Sequence, residues 1–280
     1  MIEQLRPGVS AQNARVCLFD FDGTISVIRS GWMEVMVPMM VEILLDLRTG
    51  ESEAELRAVV EEFVWRLTGK QTMYQMVAFA EEIAKRGGTP LDALEYKKMY
   101  LELLHARIRH RLEELRRGEA SPEKYLVPGA RALVEALKER GLRLYLASGT
   151  DQQYMREEAE LLDMARYFDG RVYGALDDYK SFSKKILIQR LIADSEFHGT
   201  EFLGFGDGYV EIENIKEVGG VAVGVATAEP ECRTVDEWKR GRLAGVGADF
   251  IVANFLERDE LLHALFPRQV EPQMNTDGHG

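Results

Sequence analysis

A chain of 280 residues with 46% hydrophobic content can bury one large core, or a core and a smaller partner domain, which excludes a disordered polypeptide. Its formal charge of -12 opposes nonspecific binding to nucleic acid, whose phosphates attract clustered Lys and Arg. The longest apolar stretch, 35–45, is interrupted by Pro38 and Glu42 and is too short for a bilayer span, so no membrane role is expected.

Residues 1–10 are mixed and polar, and no signal peptide is expected. Cys17 and Cys232 are the only cysteines, which suits a reducing compartment and a cytoplasmic protein. Five histidines without a short-range pair argue against a zinc enzyme.

In chain order, the first strong element is the apolar run Val16-Cys17-Leu18-Phe19, which reads as a buried strand delivering Asp20-Phe21-Asp22-Gly23-Thr24 to its own C-terminal edge. Apolar residues at three- and four-residue spacing then predict four helices over 31–47, 51–67, 71–86 and 91–117. Gly50, Gly69, Gly87-Gly88 with Pro90, and Gly118 punctuate them. Within this block Met33, Met36, Met39 and Met40 form a stripe that reads as packing between helices. Arg107-Ile108-Arg109-His110-Arg111 is the nearest approach to a basic patch, and reads as a solvated helix face balanced by Glu113 and Glu114.

Beyond a return linker at 118–125 the texture changes. Short apolar strands at 142–147, 171–173, 202–205, 221–225 and 250–252 are interleaved with amphipathic helices such as 130–140, 152–162 and 184–192. That alternation implies an α/β protein with a Rossmann-like parallel sheet, covered on both faces, whose strand C-termini gather along one edge. The expected organisation is a core of 1–26 and 121–266, an inserted all-α cap of 27–120, and a flexible tail of 267–280.

Carboxylates at the end of a buried strand carry a desolvation cost, which points to metal binding or catalysis. Two later strands end in comparable chemistry. The strand at 142–147 runs into Ser148-Gly149-Thr150, a hydroxyl with small-residue amides able to hold an anion. The strand at 202–205 runs into Gly206-Asp207-Gly208, with Glu211 four residues after Asp207. Lys184 stands at the start of a helix from which an ammonium can reach the same edge.

These segments, in this order and strand context, resemble the four motifs of the haloacid dehalogenase superfamily, and the resemblance spans about 15–256. A cap between the first and second motifs is similar to the helical-cap group that contains phosphoglycolate phosphatase, β-phosphoglucomutase and phosphoserine phosphatase. The resemblance implies that Asp20 is a nucleophile forming an aspartyl-phosphate and that Asp22 is the acid and base for the leaving alcohol and the water. It further implies that Ser148, Gly149 and Lys184 bind the phosphoryl group, and that Asp20, the Asp22 main-chain carbonyl, Asp207 and Glu211 hold magnesium.

Two departures from the family pattern stand out. Glu211 occupies a position often held by aspartate, and the lysine lacks a following proline. Lys180 and Lys185 compete with Lys184, which is preferred because Leu187, Ile188 and Leu191 follow it in helical register.

Dehalogenases of the superfamily lack the second acid, so Asp22 favours phosphoryl transfer. A phosphonatase would need a Schiff-base lysine in the cap; Lys70 reads instead as an exposed residue after a helix end. The expected activity is a magnesium-dependent phosphatase acting on a small phosphorylated metabolite, with a sugar-phosphate mutase and a non-catalytic ligand-binding module as alternatives. Arg29 and Trp32 follow the first motif closely enough to overhang the site, and Arg29 is the candidate for a substrate carboxylate or second phosphate. The turn Gly69-Lys70-Gln71-Thr72 is a second candidate for reaching down from the cap. Neither substrate identity nor oligomeric state is specified by these residues.

Overall fold

The computed structural model describes residues 2–176, 183–193 and 197–267. Its centre is a seven-stranded sheet in the order β1-β7-β6-β5-β2-β3-β4. The strands are β1 (Ile2–Gln4), β2 (Val16–Phe19), β3 (Arg143–Asp151), β4 (Val172–Ala175), β5 (Phe202–Gly206), β6 (Val221–Val225) and β7 (Phe250–Val252). All neighbours pair in parallel except β1, which lies antiparallel to β7 with Ile2 opposite Val252. No sequence pattern marks β1, because three residues of mixed polarity at an edge carry no alternation long enough to read.

β2 and β5 are buried along their whole lengths. Alternate side chains leave opposite faces of a strand, so Cys17 and Phe19 enter one apolar cluster while Val16 and Leu18 enter another. On the first face Phe19 stacks on Phe205, with ring centroids 4.8 Å apart. That cluster continues without a break into the helices inserted after β2.

The insert comprises α1 (Met33–Leu45), α2 (Glu53–Leu67), α3 (Thr72–Lys85) and α4 (Ala93–Arg116). Ser52 starts α2 with a reciprocal cap: its hydroxyl accepts from the Glu55 N–H while the Glu55 carboxylate accepts from the Ser52 N–H. Asp92 caps α4 by accepting from the Leu94 N–H at 2.8 Å. Met36, Met39 and Met40 are buried, and Met33 packs against the same cluster, as the stripe predicted.

The arginines of α4 are paired differently from the expectation. Arg111 donates to the carbonyls of Ile28 (2.7 Å) and Ser30 (2.9 Å), and Arg107 pairs with Glu34. Glu114 instead receives Lys124 at 2.6 Å. The guanidinium of Arg111 thus ties α4 to the segment that leaves the sheet, a contact no i,i+4 rule on α4 itself would show.

The two connections between sheet and insert run side by side. The Val27 N–H donates to the Tyr125 carbonyl and the Val127 N–H to the Ile25 carbonyl, each at 2.9 Å. A further clasp comes from α9 (Glu237–Gly245), where Arg242 donates to the carbonyls of Trp65 and Arg66. Both carbonyls lie in the last turn of α2, where that of Trp65 also accepts from the Thr68 N–H at 3.2 Å. Trp238 meets Trp65 with ring centroids 4.2 Å apart.

The remaining helices cover the sheet: α5 (Ala130–Glu139), α6 (Gln152–Leu161), α7 (Lys184–Ala193), α8 (Tyr209–Glu217) and α10 (Arg258–Leu265). Gly129, which starts α5, has φ +82°, and a Cβ added there would lie 2.4 Å from the Phe255 carbonyl oxygen. Gly129→Ala is therefore expected to destabilise the protein by more than about 2 kcal/mol, from left-handed strain plus displaced backbone. Urea unfolding of the two proteins checks this, and an unchanged midpoint would contradict it. Among the described residues no helix is long and apolar enough to cross a membrane.

Candidate active site

Parallel pairing places the C-terminal ends of β2, β3 and β5 side by side, and Asp20, Asp22, Arg29, Ser148, Gly149, Lys184, Asp207 and Glu211 line one cavity at that edge. The Asp20 N–H donates to the Phe205 carbonyl at 2.9 Å, prolonging the sheet by one rung and fixing its carboxylate at the floor. Asp22 lies across from the end of β3. Its Oδ2 accepts from the hydroxyls of Ser148 (3.0 Å) and Thr150 (2.8 Å), while its buried Oδ1 has no hydrogen-bond donor among the described residues.

Lys184, the first residue of α7, is buried and donates to Asp20 Oδ1 at 2.5 Å and to Glu211 Oε1. The preferred lysine of the sequence analysis is thus the one at the carboxylates, and the competing Lys180 lies outside the described residues. Lys185 turns away to Glu217.

Burial pushes the Asp20 carboxyl well above the usual carboxylate range. The nearby Glu211 and Asp207 charges add to that rise, while the Lys184 ammonium opposes it. Burial alone would lower the Lys184 ammonium, but Asp20 and Glu211 outweigh it and hold the proton on.

Lys239 was not foreseen. Its ammonium donates to Asp207 Oδ2 at 3.0 Å and to Glu229 Oε1 at 2.9 Å, and these carboxylates raise its pKa against the effect of burial. The residue comes from α9, the helix between β6 and β7, and no local pattern links it to Asp207.

Magnesium is tested by the donor set. Among the described residues no three His, Cys, Asp or Glu side chains form a ready ligand cluster, because ammonium groups hold the acids. Yet Asp20, Glu211, Asp207 and Glu229 share only Lys184 and Lys239 between them, leaving two negative charges uncompensated when all are ionised. Glu211 Oε2 is also a buried acceptor without a donor. A hard divalent cation with oxygen ligands fits both deficits.

Arg29 lines the cavity as expected, but its guanidinium is engaged. Nε lies 3.1 Å from both oxygens of Glu158, Nη2 lies 2.7 Å from Oε1, and Asp22 Oδ1 is 3.8 Å away. Burial raises the Glu158 carboxyl even though Arg29 opposes it. A second buried pair joins insert to core, with Lys97 of α4 donating to Asp151 at the end of β3 at 2.5 Å. Glu158, Lys97 and Asp151 had no sequence signal, being ordinary charges on helix faces or at a strand end.

The turn at 69–72 does reach the site. A Cβ on Gly208 would lie 2.9 Å from Gly69 Cα, and one on Gly149 would lie 3.1 Å from the Lys70 carbonyl. Lys70 itself is exposed, with its ammonium 5.6 Å from the centre of the Tyr74 ring. Thr24 is fully buried in the loop after β2.

A parallel α/β sheet that concentrates acids at its C-terminal edge, beneath helices inserted after the first acid strand, defines a Rossmann-like hydrolase with a helical cap. The description "haloacid dehalogenase-like hydrolase" matches residues 14–219, and the chain belongs to that family. None of the curated proteins matches it.

Solved structures agree in fold. A protein described as a predicted phosphoglycolate phosphatase from Haemophilus somnus 129pt is 15% identical with a TM-score of 0.57, over 89% of this chain and 98% of that one. A predicted phosphatase from Clostridium acetobutylicum is 19% identical with a TM-score of 0.56, over 89% and 96%. A haloacid dehalogenase-type hydrolase from Bacillus subtilis, bound to magnesium, is 14% identical with a TM-score of 0.54, over 89% and 99%.

Proposed function

We propose that the protein is a magnesium-dependent phosphatase that hydrolyses a small phosphorylated metabolite through an aspartyl-phosphate on Asp20, with residues 27–120 as its cap. The observation that carries this reading is the treatment of Asp22: two hydroxyls bind one carboxylate oxygen, and the other is buried without a donor. The two hydroxyls fix this carboxyl beside the Ser148-Gly149 strand end, where it can serve a leaving alcohol as acid and a water as base.

Asp20 attacks phosphorus and the bond to the alcohol oxygen breaks, with Asp22 supplying its proton. Water then attacks the aspartyl-phosphate, Asp22 takes the water proton, and Asp20 is released with inorganic phosphate. When phosphate binds, the Ser148 hydroxyl turns from Asp22, which keeps Thr150, and with the Gly149 amide holds phosphoryl oxygens, while Lys184 offsets charge on nucleophile and phosphate. Magnesium would be held by Asp20, the Asp22 main-chain carbonyl, Asp207 and Glu211, where it supplies positive charge against the phosphoryl oxygens. Release of phosphate from an aryl phosphate with magnesium, compared with Asp20→Asn, tests the proposal.

Gly23 supports it with a second measurement. The residue has φ +74°, and a Cβ there would lie 2.2 Å from Asp207 Oδ2. Gly23→Ala must displace Asp207, so the apparent magnesium affinity is expected to fall about 10–100-fold, as when a ligand loses its support. Magnesium titration of phosphate release reads this directly, and an unaltered titration would remove Asp207 from the metal site.

A further inference from the structure

We infer that the alcohol released by this enzyme is neutral and hydroxylated, so that carboxylate-bearing phosphates are poor substrates; this rests on the phosphatase reading above. The carrying observation is that both cations buried in the cavity wall beyond the phosphate-binding strand ends are already paired with carboxylates of the protein. Arg29 gives Nε and Nη2 to Glu158, with Asp22 3.8 Å away, and Lys97 donates to Asp151 at 2.5 Å. Arg29, Lys97 and Glu158 are all buried.

A substrate carboxylate entering this space would lose its water and meet two cations already neutralised, beside the charges of Asp22, Glu158 and Asp151. Buried charges are tolerated only when paired and hydrogen-bonded, and a carboxylate here would be neither. A hydroxyl faces no such penalty, because it can donate to a carboxylate edge and accept from a remaining N–H of the same ion pair. The neutral polar side chains of Gln75 and Tyr100 line the same cavity. Lys70 is the other cap cation lining it, but it is exposed, where water screens its charge.

This assigns Glu158 and Asp151 as positioning residues that set specificity by occupying cations. Their removal should convert each cation into a receptor for a substrate carboxylate, a change of preference that a purely structural role would not produce. Discrimination by a buried charge of this kind is large compared with that by a methylene.

The test uses the full chain with magnesium and two matched pairs: 2-hydroxyethyl phosphate against 2-phosphoglycolate, and glycerol 3-phosphate against 3-phosphoglycerate, with an aryl phosphate as reference. The hydroxylated member of at least one pair is expected to have a kcat/KM at least about tenfold higher, and Glu158→Gln and Asp151→Asn should each move that ratio toward the acid by a similar factor. Two sites are used so that misfolding of one variant leaves the other. Equal rates within the pairs, a preference for the acids, turnover of the aryl phosphate alone, or an unmoved ratio in a folded variant overturns the inference while the phosphatase reading stands. No phosphate from any compound overturns both.

Discussion

Asp20→Asn is expected to lower aryl phosphate hydrolysis by at least about a thousandfold while the protein stays folded, a loss of about 4 kcal/mol of transition-state stabilisation. The carboxamide matches the carboxylate in size, and its oxygen can still accept from Lys184, so the buried cluster retains a partner. What it loses is the anionic oxygen that must bond to phosphorus. The backbone rung to Phe205, 2.9 Å, does not involve the side chain and persists. Steady-state phosphate release and thermal unfolding of both proteins separate chemistry from folding. Equal rates would remove the proposed reaction.

The second large effect concerns Lys184. It is 6% exposed and bridges Asp20 and Glu211, themselves 6% and 3% exposed. Lys184→Ala leaves both carboxylates buried without their ammonium, a change that typically costs about 3–5 kcal/mol. At about 2–4 °C per kcal/mol for a protein of roughly this size, the unfolding midpoint should drop by about 10 °C.

Two further readings follow from the same electrostatics. Magnesium should restore part of the lost stability in the variant, since it supplies charge to the same carboxylates. The double variant Lys184→Ala with Glu211→Gln should be more stable than Lys184→Ala alone, because one unpaired carboxylate has gone. An unchanged midpoint in Lys184→Ala would show that these acids do not depend on the lysine.

The strands were legible because burial on both faces makes each a continuous apolar run, and the helices because one apolar stripe recurs at helical spacing. The placement of Asp20, Ser148 and Asp207 at one edge was equally legible, since parallel strands joined by helices must end on the same side. Glu211 followed from Asp207, being one helical turn beyond it on α8. The edge strand β1 was too short to read. Lys239 escaped notice because its approach to Asp207 depends on how α9 packs, not on its neighbours in sequence.

The sequence by itself therefore determined the architecture and the edge where the acids gather, because strand burial, helix periodicity and crossover direction are local properties that leave few ways to assemble the chain. Only the tertiary structure decided which charges meet. Arg29 finds Glu158 across 129 residues and Lys97 finds Asp151 across 54. No repeat in the chain relates such partners; the packing of α4 and α6 around the end of β3 brings them together, and it turns Arg29 from a free anion receptor into half of a buried ion pair.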